Sequence, residues 1–149
     1  MTKIFAADRR FILTLVDDLT LKFPADWVAE TLLIERAQIV SLPFYNPAIL
    51  GCVSVGSQVV PLVSSAQFLG LKTSLIREVL TVVRLGEAAE HLAGVGILVD
   101  RMIGSQMDSQ VSAASTQDSS RKDIQFDLTM LATELFQPQR WRADQSMLH

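Results

Sequence analysis

A long uncharged segment in the middle of the chain constrains the fold more than any other feature. No Asp, Glu, Lys or Arg occurs between Arg36 and Lys72. Such a segment can be a membrane span, a buried core or a surface that contacts another protein. A spanning helix needs about 20 mainly apolar residues, and Pro43, Pro47 and Pro61 interrupt this one. A span is therefore excluded, whereas a core and a contact surface both remain open.

The composition indicates a folded protein with a substantial core. The chain has 149 residues, of which 49% are hydrophobic and 19% are charged, which suits one domain or two small subdomains that share a core. The net charge of −3 argues against a general phosphate-binding surface, so we expect no nucleic-acid partner. Cys52 is the single cysteine, which is typical of a reducing compartment, and the first residues show no secretory signal. We therefore expect a cytoplasmic protein without direct membrane insertion.

Short apolar runs between turn signals predict a mainly β protein. Residues 10–16 and 19–23 form one predicted hairpin around Asp17-Asp18, and residues 79–85 and 95–99 form further predicted strands. Residues 27–34 fit either a strand or a short helix, because periodicity alone does not decide between them. Residues 64–69 predict a helical turn that ends at Gly70.

The uncharged segment contains the clearest hairpin. Residues 52–55 and 58–63 flank Gly56-Ser57, and Gly at the first position of a two-residue loop is typical of a type II′ turn. This turn places four aliphatic side chains on one face, namely Val53, Val55, Val60 and Leu62. The other face carries Cys52, Ser54, Val59, Pro61 and Val63, which are small and uncharged, as interface cores often are. The alternative is that both faces are buried within one large barrel.

The C-terminal third differs in composition from the rest. We predict a β core over residues 1–104, followed by a flexible Ser/Gln-rich loop over residues 105–123. Residues 124–149 are predicted to contain a helix over 127–136, capped by Asp127, and a tail, both belonging to the same domain.

No catalytic or metal-binding pattern is present in the sequence. Glu87, Glu90 and His91 would share one side of a short helix, but a second ligand cluster with defined spacing is missing. There is no Gly-x-Ser-x-Gly elbow and no phosphate-binding glycine motif. Cys52 lies in a predicted strand without a nearby cation to activate it. We therefore expect neither enzymatic activity nor a cofactor.

The order of several short motifs resembles the CheW-like domain family. The matching residues are Leu42-Pro43, Pro47, Ile49-Leu50-Gly51, Val53, Val55, Pro61-Leu62-Val63, Phe68-Leu69-Gly70-Leu71, Thr81-Val82-Val83 and Gly96-Ile97-Leu98-Val99-Asp100. The segments WVAE and LFQPQRW look most similar to the cyanobacterial type of this family.

The resemblance implies a fold of two small SH3-like β-barrel subdomains, here with a C-terminal helix. It implies a non-catalytic adaptor that couples methyl-accepting chemoreceptors or photoreceptors to a CheA-type histidine kinase. Related copies serve chemotaxis, phototaxis and type IV pilus motility. The alternative hypothesis is a small β-barrel module that binds a peptide or ligand in a motility or other assembly without a kinase.

Two departures from the family pattern affect the predicted interaction site. The usual Arg and Gly of the turn are Gly56 and Ser57 here, and a usual Asp is Ser64. The resemblance pairs that Arg with a Glu, which Glu30 matches best, so this ion pair is expected to be missing. The predicted protein-interaction residues are Ser54, Gly56, Ser57, Val59, Pro61 and Glu30.

Overall fold

The computed structural model describes residues 9–72, 77–107 and 122–138, and it is mainly β. Nine strands in this part of the chain form two sheets. They are β1 (Arg10–Val16), β2 (Leu19–Pro24), β3 (Val28–Glu35), β4 (Ile49–Val55), β5 (Gln58–Ser64), β6 (Val79–Leu85), β7 (Gly96–Val99), β8 (Arg101–Met107) and β9 (Lys122–Gln125). The mainly β fold class is confirmed, and residues 27–34 are resolved in favour of a strand.

The first sheet has four described strands in the order β8-β1-β2-β9. The predicted hairpin around Asp17-Asp18 is confirmed, with Val16 opposite Leu19. The Asp17 backbone has a positive φ of 54°, and its N–H donates to Asp100 Oδ2 at 2.7 Å. This bond ties the turn of the first sheet to the end of β7 in the second sheet.

The second sheet has five strands in the order β3-β6-β7-β5-β4 and curls around its own hydrophobic core. We call this the barrel core; it contains Ile34, Val53, Val60, Leu62, Leu80, Val82 and Leu98. A larger central core lies between the two sheets and includes Phe23, Val63, Val83, Ile97 and Phe126. Alternate residues of β6 and β7 enter the two cores, which explains why these strands are apolar on both faces.

The connection between β6 and β7 is partly buried. It contains a 3-10 segment at Glu87–Leu92, in which Ala89 and Leu92 are buried in the central core. Glu90 interrupts this segment with φ 58° and ψ −118°. Because of this kink, Glu87, Glu90 and His91 do not share the side of one regular helix.

The predicted C-terminal α-helix is wrong in detail. Residues 127–136 form two 3-10 turns, Leu128–Met130 and Thr133–Phe136. Asp127 does cap the first turn, since its Oδ1 accepts from the Thr129 N–H at 3.0 Å. Leu131 between the turns has an extended conformation and is buried in the central core. Burying Leu131 therefore breaks the regular helix that the apolar spacing predicted.

Both ends of the predicted Ser/Gln-rich loop lie in strands. β8 continues past Gly104 to Met107 and pairs with β1, whereas β9 begins at Lys122 and runs parallel to β2. Phe126 follows β9 and packs against Phe23, with 4.9 Å between the ring centroids. The remaining residues of the predicted loop, 108–121, and the tail from residue 139 lie outside the described residues.

One single α-helical turn, Ser65–Phe68, follows β5 as predicted. Ser64 caps it by accepting from the Gln67 N–H at 3.3 Å, and Gly70 ends it with a φ of 72°. Within the three described ranges, no helix has the length and hydrophobicity needed to cross a bilayer.

Candidate protein-interaction surface

The β4–β5 hairpin has the register that the sequence predicts. Val55 lies opposite Gln58, Ser54 opposite Val59, and Cys52 opposite Pro61. Gly56 begins the turn with a φ of 60°, as a type II′ turn requires. The side-chain faces of the hairpin therefore follow from strand alternation.

The two faces of the hairpin differ sharply in burial. Val60 is 1% exposed within the barrel core, whereas its neighbour Val59 is 68% exposed on the opposite face. Ser54 is also exposed, and Cys52 and Pro61 are half-buried. The alternative in which both faces are buried is therefore wrong near the turn.

The far end of the same face behaves differently. Val63 was expected on the exposed face, but it is fully buried in the central core. β7 pairs with β5 over Leu62–Ser64 and stops before Pro61, where proline has no N–H to donate. This face of the hairpin is therefore buried at Val63, where the two sheets pack together, and exposed near the Gly56-Ser57 turn.

Val40 extends this exposed face. It forms an isolated bridge with Cys52, in which the two N–H groups donate across at 2.8 and 2.9 Å, so the two side chains lie on the same side. Val40 is exposed. We define the outer hairpin face as Val40, Cys52, Ser54, Val59 and Pro61. The sequence did not indicate Val40, because no strand was predicted between residues 34 and 52.

A polar cluster lies at the open end of the second sheet, beside the turn. Glu30 and Arg84 are opposite one another on β3 and β6, and Arg84 Nη1 donates to Glu30 Oε2 at 2.6 Å. Arg84 Nη2 donates to the side-chain oxygen of Gln58, the first residue of β5. We call Glu30, Gln58 and Arg84 the polar cluster. By strand alternation, each lies on the same face of its strand as a residue of the barrel core, namely Ile34 on β3, Val60 on β5 and Val82 on β6.

Glu30 has a cationic partner that the family pattern did not indicate. Arg84 on β6 pairs with it, whereas position 56 is a glycine. The sequence contained a signal for this pair, because Arg84 is the one charged residue in the apolar run VLTVVRL. A charge in a strand that is buried on both faces requires a partner.

A surface groove joins the polar cluster to the outer hairpin face. Val59 lines it on one side, and Gln58, Arg84, Ala29 and Gly86 line other parts of it. The predicted residues Ser54, Gly56, Ser57, Val59 and Glu30 thus all lie near this end of the second sheet, and Pro61 lies further along β5.

Other exposed large apolar side chains lie outside the hairpin. On β3 and β6, Leu33 is 74% exposed and Val79 is 50% exposed. Phe44 and Ile103 are also exposed. Leu33 therefore provides a comparison for Val59, since both are apolar strand residues with similar exposure.

The described ranges contain no group of three or more His, Cys, Asp or Glu side chains placed to hold a metal ion. His91 Nε2 lies 2.8 Å from the carbonyl oxygen of Leu131. This contact ties the Glu87–Leu92 segment to the C-terminal turns, and so gives His91 a structural role.

The fold and this surface define a small two-sheet β domain with an exposed, uncharged hairpin. A family model described as the CheW-like domain matches residues 10–125, which is most of the chain. The chain belongs to the CheW-like domain family. No curated protein matches it.

One similar solved structure is that of the scaffolding protein TtCheW from Thermoanaerobacter tengcongensis. The two structures have a TM-score of 0.54 at 14% sequence identity, and the match covers 67% of this chain and 65% of that protein. The chain therefore spans slightly less than two thirds of the scaffolding protein's length. At this identity the likeness shows a common fold.

Proposed function

We propose that the protein is a non-catalytic adaptor that couples a methyl-accepting chemoreceptor or photoreceptor to a CheA-type histidine kinase. The observation that carries this proposal is the exposed outer hairpin face, centred on Val59, on a CheW-like domain. The system served is one of taxis or of type IV pilus motility. The protein acts in the cytoplasm and is recruited to receptor arrays.

The surface has the physical properties of a docking site. Exposed strands in monomeric proteins usually carry charged side chains that discourage association. The outer hairpin face has none, and Val59 exposes most of its side chain. Burying Val59 and Val40 against a partner would remove apolar surface from water and so favour binding. Ser54, Gly56 and Ser57 are small and let a partner approach the backbone closely.

An adaptor also requires a second surface, since it contacts two proteins at once. Leu33 on β3 and Val79 on β6 are further exposed apolar residues. We assign the hairpin to the receptor and treat Leu33 and Val79 as the comparison surface, because the outer hairpin face combines exposed apolar side chains with a complete absence of charge.

The first prediction concerns binding. Val59→Glu is expected to weaken binding of the receptor's cytoplasmic domain by at least about tenfold, because an unpaired charge would be desolvated in the interface. The measurement is isothermal titration calorimetry with that domain and, separately, with the CheA-type kinase of the source organism. Leu33→Glu places the same charge at a similarly exposed strand position and is the matched control.

The two variants separate the possible outcomes. Loss of receptor binding in Val59→Glu but not in Leu33→Glu supports the hairpin as the receptor surface. The reverse pattern places the receptor at Leu33 and refutes the assignment. If the unmodified protein binds neither receptor nor kinase, the adaptor function itself is wrong.

A second candidate function is a peptide- or ligand-binding module in a motility or other assembly without a kinase. The groove lined by Val59, Arg84 and Gln58 favours it, because it combines apolar surface with polar side chains. Affinity purification with mass spectrometry discriminates the two functions, since recovery of a histidine kinase is expected only for the adaptor.

A further inference from the structure

Arg84 links β6 to β5 at the end of the sheet where β7, the strand between them, is absent. Its strand, β6, pairs with β3 on one side and with β7 on the other. β7 begins only at Gly96, which lies opposite both Arg84 and Leu62. Gln58, four residues before Leu62, is therefore beyond the start of β7, and its contact with Arg84 spans the gap between β6 and β5.

Gly96 helps to make this contact possible. A Cβ at this position would lie 2.7 Å from Val82 Cγ1 and 2.9 Å from Leu62 Cδ2. Because glycine adds no side chain there, Val82 and Leu62 close over the start of β7. Arg84 follows Val82 by two residues on the same face of β6, towards the open end of the sheet.

The guanidinium is held by its two terminal nitrogens. Nη1 contacts Glu30 on β3, and Nη2 contacts Gln58 on β5. Nε is buried, and within the described part of the chain it has no hydrogen-bond partner. The Arg84 side chain is 18% exposed, whereas its two acceptors, Glu30 and Gln58, are exposed, so the guanidinium reaches them from a largely buried position. Removing Arg84 would thus release both Glu30 and Gln58.

Gln58 is adjacent in sequence to Val59, the most exposed large apolar residue of the outer hairpin face. Its side chain faces inward while that of Val59 faces outward, as strand alternation requires. The hydrogen bond from Arg84 to Gln58 therefore restrains the backbone of β5 next to Val59.

We propose that Arg84 is a positioning residue, which links Gln58 to Glu30 and so preorganises the hairpin turn for partner binding. This inference rests on the proposed adaptor function for its binding consequence. Its conformational consequence, reduced mobility of residues 54–59 in the free protein, does not depend on any partner.

The experiment compares Arg84→Met with the unmodified protein. Methionine keeps an unbranched side chain but donates no hydrogen bond. Amide hydrogen exchange of residues 54–59 is expected to accelerate roughly tenfold, while that of β7 is unchanged. Affinity for the receptor's cytoplasmic domain is expected to fall by a similar factor, because a mobile hairpin must be ordered on binding.

A charge reversal tests whether the contacts themselves matter. In the double variant Glu30→Arg with Arg84→Glu, the ion pair is restored with opposite polarity. The new carboxylate at position 84 can accept from the side-chain amide of Gln58. The double variant is therefore expected to recover slow exchange and most of the affinity, whereas a role in packing alone would give no recovery.

Each outcome bears on one hypothesis. If Arg84→Met exchanges and binds like the unmodified protein, the positioning role is refuted. If the unmodified protein binds no receptor, the adaptor function fails, but the exchange data still decide the positioning role. If Arg84→Met does not fold, Gln58→Leu removes only the contact to the hairpin, and unchanged exchange at residues 54–59 in that variant refutes the inference.

Discussion

Val60→Glu is expected to unfold the protein, whereas Val59→Glu is expected to leave it folded. Val60 is 1% exposed and packs in the barrel core with Val53, Leu62 and Val82. A carboxylate there would be buried without a partner, which costs several kcal/mol. Domains of this size are stable by only about 5–15 kcal/mol in total, so this single change removes a large share of the stability.

Thermal melts followed by circular dichroism measure both variants. The melting temperature of Val59→Glu is expected to change by less than about 4 °C, because its side chain points into water and the cost is mainly one of strand propensity. Both variants replace a valine with glutamate at adjacent positions, so a difference between their melting temperatures reflects the difference in burial. Equal destabilisation by the two changes would mean that both faces of the hairpin are buried.

Gly51→Ala is expected to have the second largest effect, a loss of more than about 3 kcal/mol in the free energy of unfolding. Gly51 has a φ of 152°, a conformation that residues with a side chain rarely adopt. An added Cβ would lie 2.2 Å from the carbonyl oxygen of Val40. The change therefore separates Val40 from β4 and breaks its bridge to Cys52, which disrupts the outer hairpin face as well as the stability.

Gly56→Ala is the matched control for this prediction. Gly56 also has a positive φ, but no atom lies within 4 Å of the Cβ that the substitution would add. Gly56→Ala is expected to lower the free energy of unfolding only by the strain of a side chain at positive φ, about 1–2 kcal/mol. Urea unfolding of both variants measures the difference. Equal costs would show that the Val40 segment moves away freely and that its bridge to β4 contributes little.

The sequence contained enough local information for most strands and for both hairpins. Alternation of apolar residues and the Gly56-Ser57 turn set the register of β4 against β5, and this register is confirmed. Asp127 was correctly predicted as a cap, because capping depends on residues two or three positions apart. The motif order around Leu42 to Asp100 also led to the correct family.

The errors arose where distant segments decide the outcome. Val63 has the same alternation as Val59, yet the central core covers one and leaves the other in water. Leu131 fits a helical apolar face, but its burial against the central core breaks the helix into two 3-10 turns. Alternation assigns a side chain to a face, but it carries no information about what covers that face.

The polar cluster shows the same division most clearly. Local pattern places Glu30, Gln58 and Arg84 on inward-facing rows of three strands, and it marks Arg84 as a charge that needs a partner. The choice of partners depends on strand order and on where β7 begins, since these bring residues 26 and 54 positions apart into hydrogen-bonding contact. Short-range periodicity therefore determined the strands, turns and faces of this protein, whereas the packing of sequence-distant strands determined which face is exposed and which charges meet.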